Sequence, residues 1–169
     1  MKYKELERKE LFKNSHIKVF SKKLELPNRK VVDWTFTGNR DAVGIVALLG
    51  NEILLVKQYR PAVEKETLEI PAGLVEKGED PEMAAFRELE EETGYRAKKL
   101  EKIYDFYMSP GINGGKFYLY YSEDCEKGKQ HLDEDEFLEV IKLKLDSLDL
   151  KSLSDAKSLL GVSYAKARK

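Results

Sequence analysis

Cysteine is nearly missing from this chain: Cys125 stands alone, so no intrachain disulfide can form and no disulfide scaffold supports the fold. Histidine is scarce too, and His16, His131 and Cys125 together cannot supply a four-ligand zinc cluster. There is no excess of either charge. The 30 basic and 31 acidic residues nearly cancel, which removes the global basic field that would recruit nucleic acid or an anionic membrane. Trp34 is the single tryptophan, so an array of base-stacking indoles is excluded. Long hydrophobic runs are absent as well. The N-terminal MKYKELERKE has no apolar signal core, and the longest apolar stretch, residues 42–49, is far too short to span a bilayer. These absences describe an expected cytoplasmic protein with no membrane and no nucleic-acid partner.

What is present suffices for one core. A chain of 169 residues with 41% hydrophobic content can bury a single sizeable interior. Residues 3–37 carry short alternating apolar patches, Ile17-Lys-Val19-Phe20 and Val31-Val32-Asp-Trp34-Thr-Phe36, broken at Pro27-Asn28 and Gly38-Asn39, the pattern of a β-meander. Residues 43–49 and 52–59 flank Gly50-Asn51 and read as a hairpin whose continuous apolar runs imply burial on both faces. Further strands are expected over 102–107, 116–121 and 137–143. A terminal helix is expected over 154–166, capped by Ser154, with Ala156, Leu159, Leu160 and Ser163 on one side. The whole reads as an α/β fold, a mixed sheet with helices on its faces.

The most specific stretch begins at Gly73. Asp80 is a good N-cap, Pro81 suits a first helical position, and Gly94 can take the left-handed conformation that ends a helix, so residues 81–93 should be helical. Met83, Ala85, Phe86 and Leu89 make an apolar stripe for packing on the sheet. Beside it Glu88, Glu91 and Glu92 fall within about 100° of arc. Like charges at these spacings repel by a few tenths of a kcal/mol per pair, a cost that a cation opposite them would offset. A hard divalent ion such as Mg²⁺ prefers oxygen ligands of this kind.

Gly73-Leu-Val-Glu-Lys-Gly-Glu79, seven residues, then Arg87-Glu88-Leu89-Glu90-Glu91-Glu92-Thr93-Gly94-Tyr95 resembles the Nudix box almost residue for residue. Such a pattern should arise by accident on the order of once in 10⁵ chains of this length. Tyr95 replaces the small aliphatic residue usual at the end of the box. The resemblance implies a Nudix-like α/β/α sandwich, here preceded by the meander. It implies metal-dependent cleavage of a nucleoside diphosphate linked to another group, with metal-activated water as nucleophile. Mg²⁺ is the implied cofactor and Mn²⁺ its substitute. Family metal ligands map onto the Ala72 carbonyl, Glu88 and Glu92, with Glu91 completing a second site or bonding to the ligands. Glu79 would sit at the far end of the loop. Arg87, four residues before Glu91, can lie across the acidic face and hold carboxylate rotamers; a phosphate clamp is not expected of it.

Outside the box, Gln58-Tyr59-Arg60, Leu68-Glu69-Ile70-Pro71-Ala72-Gly73 and Met108-Ser109-Pro110-Gly111 resemble the ADP-ribose and nucleoside diphosphate sugar pyrophosphatase branch, in which a proline stands where Pro110 does. Arg60 would suit the diphosphate as a fork, or be a plain turn arginine. Glu69 would meet a ribose hydroxyl or a metal-bound water, or else form a cap or salt bridge. Trp34 would stack on the base, or lie in a core. In this branch such an aromatic often comes from a partner subunit, and the meander needs somewhere to bury its apolar face, so a homodimer is expected. The domain reading is residues 1–40 as a meander and dimerisation element, and 41–169 as the hydrolase domain with its C-terminal helix.

One departure from the branch affects the chemistry. The branch usually carries a glutamate after Ser-Pro-Gly, but this loop reads Ile112-Asn-Gly-Gly-Lys116. A base would then come from Glu134, Glu136 or Glu139, or from Glu91. Lys116, or backbone N–H groups near Gly111, would face the sugar if the loop closes over substrate; the alternative is a plain hairpin turn. The expected activity is hydrolysis of ADP-ribose to AMP and ribose 5-phosphate. The alternatives are another sugar nucleotide (GDP-mannose, ADP-glucose or UDP-glucose) or a catalytically weak ligand sensor.

Overall fold

The computed structural model describes residues 2–15, 17–38 and 40–169. His16 and the Asn39 half of the expected Gly38-Asn39 break lie outside the described residues. The chain divides into two units, Met1–Arg40 with Phe106–Lys116, and Asp41–Asp105 with Phe117–Lys169.

In the first unit β1 (Lys4–Lys13), β2 (Lys18–Glu25) and β3 (Val31–Thr37) form an antiparallel sheet in that order, the expected meander. Phe20 and Leu24 of β2 are buried, whereas all ten residues of β1 are exposed. The segment after Ser109 is tied to this sheet: Thr37 N–H donates to Ile112 O (2.9 Å), and Asn113 Nδ2 donates to Thr37 Oγ1 (3.2 Å) and Gly38 O (3.1 Å). Gly115 passes so close to the backbone that a Cβ there would lie 2.2 Å from Arg40 O.

The second unit is built on a mixed sheet. Its strands are β4 (Ala42–Leu49), β5 (Glu52–Arg60), β6 (Lys65–Glu69), β7 (Ala72–Leu74), β9 (Glu101–Tyr107), β10 (Lys116–Ser122) and β12 (Leu138–Lys144). The order is β12-β5-β4-β10-β9, with β6 added to β5 and β7 to β4. β4 runs parallel to β10 and antiparallel to β5 and β7. Short β8 (Tyr95–Ala97) and β11 (Cys125–Lys127) pair separately. The hairpin turn falls at Gly50, at φ 64°, but β4 and β5 stay paired only at Leu48↔Ile53 and Leu49↔Glu52. β5 then leaves β4 and pairs with β6 over Val56–Arg60, while β12 lines it from Glu52 to Gln58.

Helix α1 (Pro81–Thr93) has the capping expected: Asp80 accepts from Glu82 N–H, and Gly94, at φ 70°, donates to Glu90 O. Its inner face is Ala84, Ala85 and Leu89, packed with Val43, Ile45 and Ala47 of β4. Met83, expected in that stripe, is 60% exposed, and Ala84 is inside instead. Helix α2 (Ala156–Arg168) begins two residues later than expected, capped by Asp155 rather than Ser154. The face expected to pack is also wrong: Leu159 and Leu160 are exposed, while Ser158, Gly161, Val162 and Ala165 are buried. Close approach explains the reversal. A Cβ on Gly161 would lie 2.6 Å from Val46 Cγ2, so only the small-residue face fits against β4. Alternate β4 side chains thus meet α1 and α2 on opposite faces, which gives the sandwich. No helix among the described residues is long and apolar enough to cross a membrane.

Candidate active site

β7 and α1 bring the box residues together within the second unit. Gly73 lies against Glu88, so close that a Cβ would sit 2.0 Å from the Glu88 carboxyl carbon. Any other residue would displace the carboxylate or the strand. Glu92, 2% exposed, accepts a 2.9 Å hydrogen bond from Ala72 N–H at its Oε2. Gln130 Nε2 in turn donates to Glu92 O at 2.7 Å and steadies the end of the helix.

Arg87 lies across the acidic face. Its Nε and Nη2 bind Glu79 at 2.9 and 3.0 Å, and Nη2 also donates to Leu74 O at 3.1 Å. Nη1 binds Glu88 at 2.9 Å and Glu91 at 2.8 Å. All the N–H groups of a guanidinium are used by this set. Arg87 therefore orders the loop and the carboxylates and has no donor to spare for a phosphate. Glu79 is fixed at the loop's far end, accepting also from Glu76 N–H at 2.9 Å.

The electrostatics are those of carboxyls crowded out of water. Burial pushes Glu92 up to about 8, helped by Glu136 and Glu88, against the pull of the Ala72 N–H and Arg60. Burial likewise raises Glu88 to about 7, with Arg87 pulling down and Glu91 and Glu136 pushing up. Glu136 is raised by its own burial and by Asp133 and Glu91, and it feels Arg60. Of the three acidic-segment glutamates weighed as a base, Glu136 is the one whose charge Glu88 and Glu92 feel. Glu134 is exposed, and Glu139 lies on β12 across from Lys57 of β5.

Arg60 and Glu69 meet each other. Arg60 Nε and Nη2 grip Glu69 in a two-pronged bridge, both at 2.8 Å. Glu69 also accepts from Thr67 Oγ1 at 2.6 Å and Lys157 Nζ at 2.5 Å. Burial alone would raise the Glu69 carboxyl, but the bonds from Arg60, Lys157 and Thr67 outweigh it and hold it at about 2. With four donors on its two oxygens, Glu69 has no lone pair left for a ribose hydroxyl, and the salt-bridge alternative is the one the geometry adopts. Arg60 keeps Nη1, on the far side of the fork, outside this bridge.

Trp34, Gly111 and Lys116 belong to the first unit. Trp34 is 42% exposed on β3 with the Tyr3 ring edge-on at 5.7 Å. Gly111 is exposed with open space at its Cβ position, and Lys116 starts β10. The loop is pinned by Asn113 in the manner of a fixed turn. Sequence reasoning missed Lys157, Ser158 and Gln130, because each works through a partner fixed only by the tertiary fold, Lys157 and Glu69 being 88 residues apart; Thr67, two residues before Glu69, was missed with the short strand that carries both.

As they stand, no three His, Cys, Asp or Glu side chains among the described residues converge in metal-ligating geometry; Glu88 is turned onto Arg87 and Glu92 onto Ala72 N–H. The donor set nevertheless fits a hard cation. Glu88 and Glu92 are desolvated, raised first by burial and then by neighbouring carboxylates, and seated against a backbone loop that glycine keeps open.

A mixed sheet between two helices, with a glycine loop laid on a glutamate-rich helix, is the α/β sandwich and box arrangement that the Nudix resemblance implies. A model of the NUDIX domain matches residues 38–160. The chain is 40% identical to the ADP-ribose pyrophosphatase of Bacillus subtilis (strain 168), over 95% of this chain and 91% of that one. It is 37% identical to the methanol dehydrogenase activator of Bacillus methanolicus, over the same shares. A crystal structure of an ADP compounds hydrolase shares the fold with a TM-score of 0.87, covering 99% of this chain and 94% of that one at 23% identity. The chain belongs to the Nudix family and is a Nudix pyrophosphohydrolase.

Proposed function

We propose that this protein hydrolyses the pyrophosphate bond of ADP-ribose, giving AMP and ribose 5-phosphate, with Mg²⁺ as cofactor and Mn²⁺ able to replace it. The observation that carries the chemistry is the seating of Glu88 on Gly73 and of Glu92 on Ala72 N–H, two desolvated carboxylates on one loop. ADP-ribose comes first because of the Bacillus subtilis relative, an ADP-ribose pyrophosphatase 40% identical along nearly the whole chain.

The Ala72 carbonyl, Glu88 and Glu92, with Glu91 beside them, would hold the ions. When bound, divalent metal lowers the pKa of water and spreads the charge that builds on phosphate oxygens. Arg87 keeps Glu88 and Glu91 in place. Arg60 would offer its outward N–H pair to the diphosphate. Glu136, coupled to Glu91 and raised by burial, would take the proton from the attacking water. Trp34, Gly111 and Lys116 would serve the nucleoside and sugar. Residues 1–40 would join two copies of the chain, and the compartment would be the cytoplasm.

A second reading follows from the loop at 112–116, which has no carboxylate. A weaker base would favour either another sugar nucleotide or a sensor with little turnover. The test is hydrolysis of ADP-ribose, GDP-mannose, ADP-glucose, UDP-glucose and a nucleoside triphosphate with Mg²⁺, products resolved by chromatography, beside Glu92→Gln. AMP from ADP-ribose, reduced about 10²-fold or more in the variant, is expected. No turnover of any substrate would leave the sensor.

A further inference from the structure

The first turn of α2 grips the segment that leads into the Gly73 loop, and no box residue takes part. Lys157 is 9% exposed, and its Nζ lies 2.5 Å from Glu69 Oε2 and 3.0 Å from Asp155 Oδ1. Asp155 Oδ1 also accepts from Ser158 N–H at 3.0 Å, while Asp155 Oδ2 is buried with no hydrogen-bond partner. Ser158 Oγ accepts from Ile70 N–H at 2.9 Å. Two consecutive residues of the loop's approach, Glu69 and Ile70, are thus held by two consecutive residues of one helix.

The charges in this cluster alternate. Arg60 and Lys157 share the Glu69 carboxylate, and Lys157 alone of the two bonds to Asp155. Asp155 is near enough for Arg60 to feel its charge. Without the Lys157 ammonium, Asp155 would hold a part-buried, poorly compensated charge, and the Arg60 guanidinium already feels it. Arg60 would then have two carboxylates to choose between, and its outward N–H pair would lose its direction.

We propose that Lys157 is a positioning residue: by engaging Glu69 and Asp155 together, it fixes the Arg60 guanidinium with Nη1 turned toward the substrate's diphosphate. This rests on the reading of Arg60 as the diphosphate fork. Lys157 itself touches no substrate.

The test is equilibrium binding of ADP-ribose to the metal-free protein, where hydrolysis does not intervene, for wild type, Lys157→Met, Arg60→Ala and the double variant. Lys157→Met should weaken binding about tenfold, and this loss should vanish in the Arg60→Ala background, because both changes act through one guanidinium. Lys157→Arg, which keeps the charge, should bind within about twofold of wild type. If Lys157→Met does not fold, the isosteric Glu69→Gln reads the same arrangement and should also weaken binding severalfold. Unchanged affinity in Lys157→Met, or a loss that simply adds to that of Arg60→Ala, overturns the proposal, as does a wild type that binds no ADP-ribose. Binding with this pattern but no turnover in Mg²⁺ would instead sink the hydrolase reading and leave the positioning role intact.

Discussion

Glu92 has a folded-state environment that opposes its charge. Burial raises it to about 8 and Glu88 to about 7, against an ordinary value of 4.5. The folded protein therefore holds protons that the unfolded chain has already released, so metal-free stability should fall as pH rises from about 4.5 through about 7 and 8. The combined loss should reach a few kcal/mol. Thermal melts in chelator between pH 5 and 8.5 would read it. Glu92→Gln, neutral throughout, should flatten the upper part of the profile and melt higher than wild type at pH 8, while losing turnover. A metal-free wild type whose melting temperature is level across that range would refute this account of the site. Saturating Mg²⁺ should restore much of the loss, since an ion that binds only the folded state adds stability by mass action.

Helix α2 packs through its small residues, and this decides what a single methyl group does there. Gly161→Ala removes a helix-interior glycine, a gain of about 1 kcal/mol by propensity alone. The new Cβ would lie 2.6 Å from Val46 Cγ2, and overpacking of a close interface costs about 1–3 kcal/mol. The urea midpoint should therefore fall with the slope unchanged; a rise would mean that the helix can back away from β4 freely. The same helix shows where the sequence could be read and where it could not. For α1 both ends were legible, because Asp80, Pro81 and Gly94 act locally and no distant partner alters them. For α2 the leucines made the more hydrophobic face, but fit against Val46 selected the small one. Short β6 and β7 went unread because Pro71 and three-to-five-residue lengths leave little periodicity to see. In the site, the glutamates of the box stood out by spacing. That Arg60 would spend two of its five N–H donors on Glu69 did not, since pairing between β5 and β6 brings them together.

At the scale of the molecule, the first unit presents Tyr3, Leu6, Leu11, Phe12, Ile17, Val31 and Trp34 exposed. Strand β1 alone contributes Leu6, Leu11 and Phe12 from a segment exposed at every residue, more apolar surface than an edge strand carries without a partner. In the proposed homodimer this face is buried. Leu11→Asp with Phe12→Asp should convert dimer to monomer in sedimentation equilibrium at micromolar concentration, with helix and sheet content retained by circular dichroism. An unchanged mass would move the interface off β1.

The bond from Ile70 N–H to Ser158 Oγ spans 88 residues. During synthesis at about 5–20 residues per second, Ile70 is added to the chain about 4–18 s before its acceptor. Glu69 waits as long for Lys157, with its carboxylate gripped from one side only. The loop that carries Ala72 and Gly73 therefore spends its first seconds without its α2 latch, open to proteases.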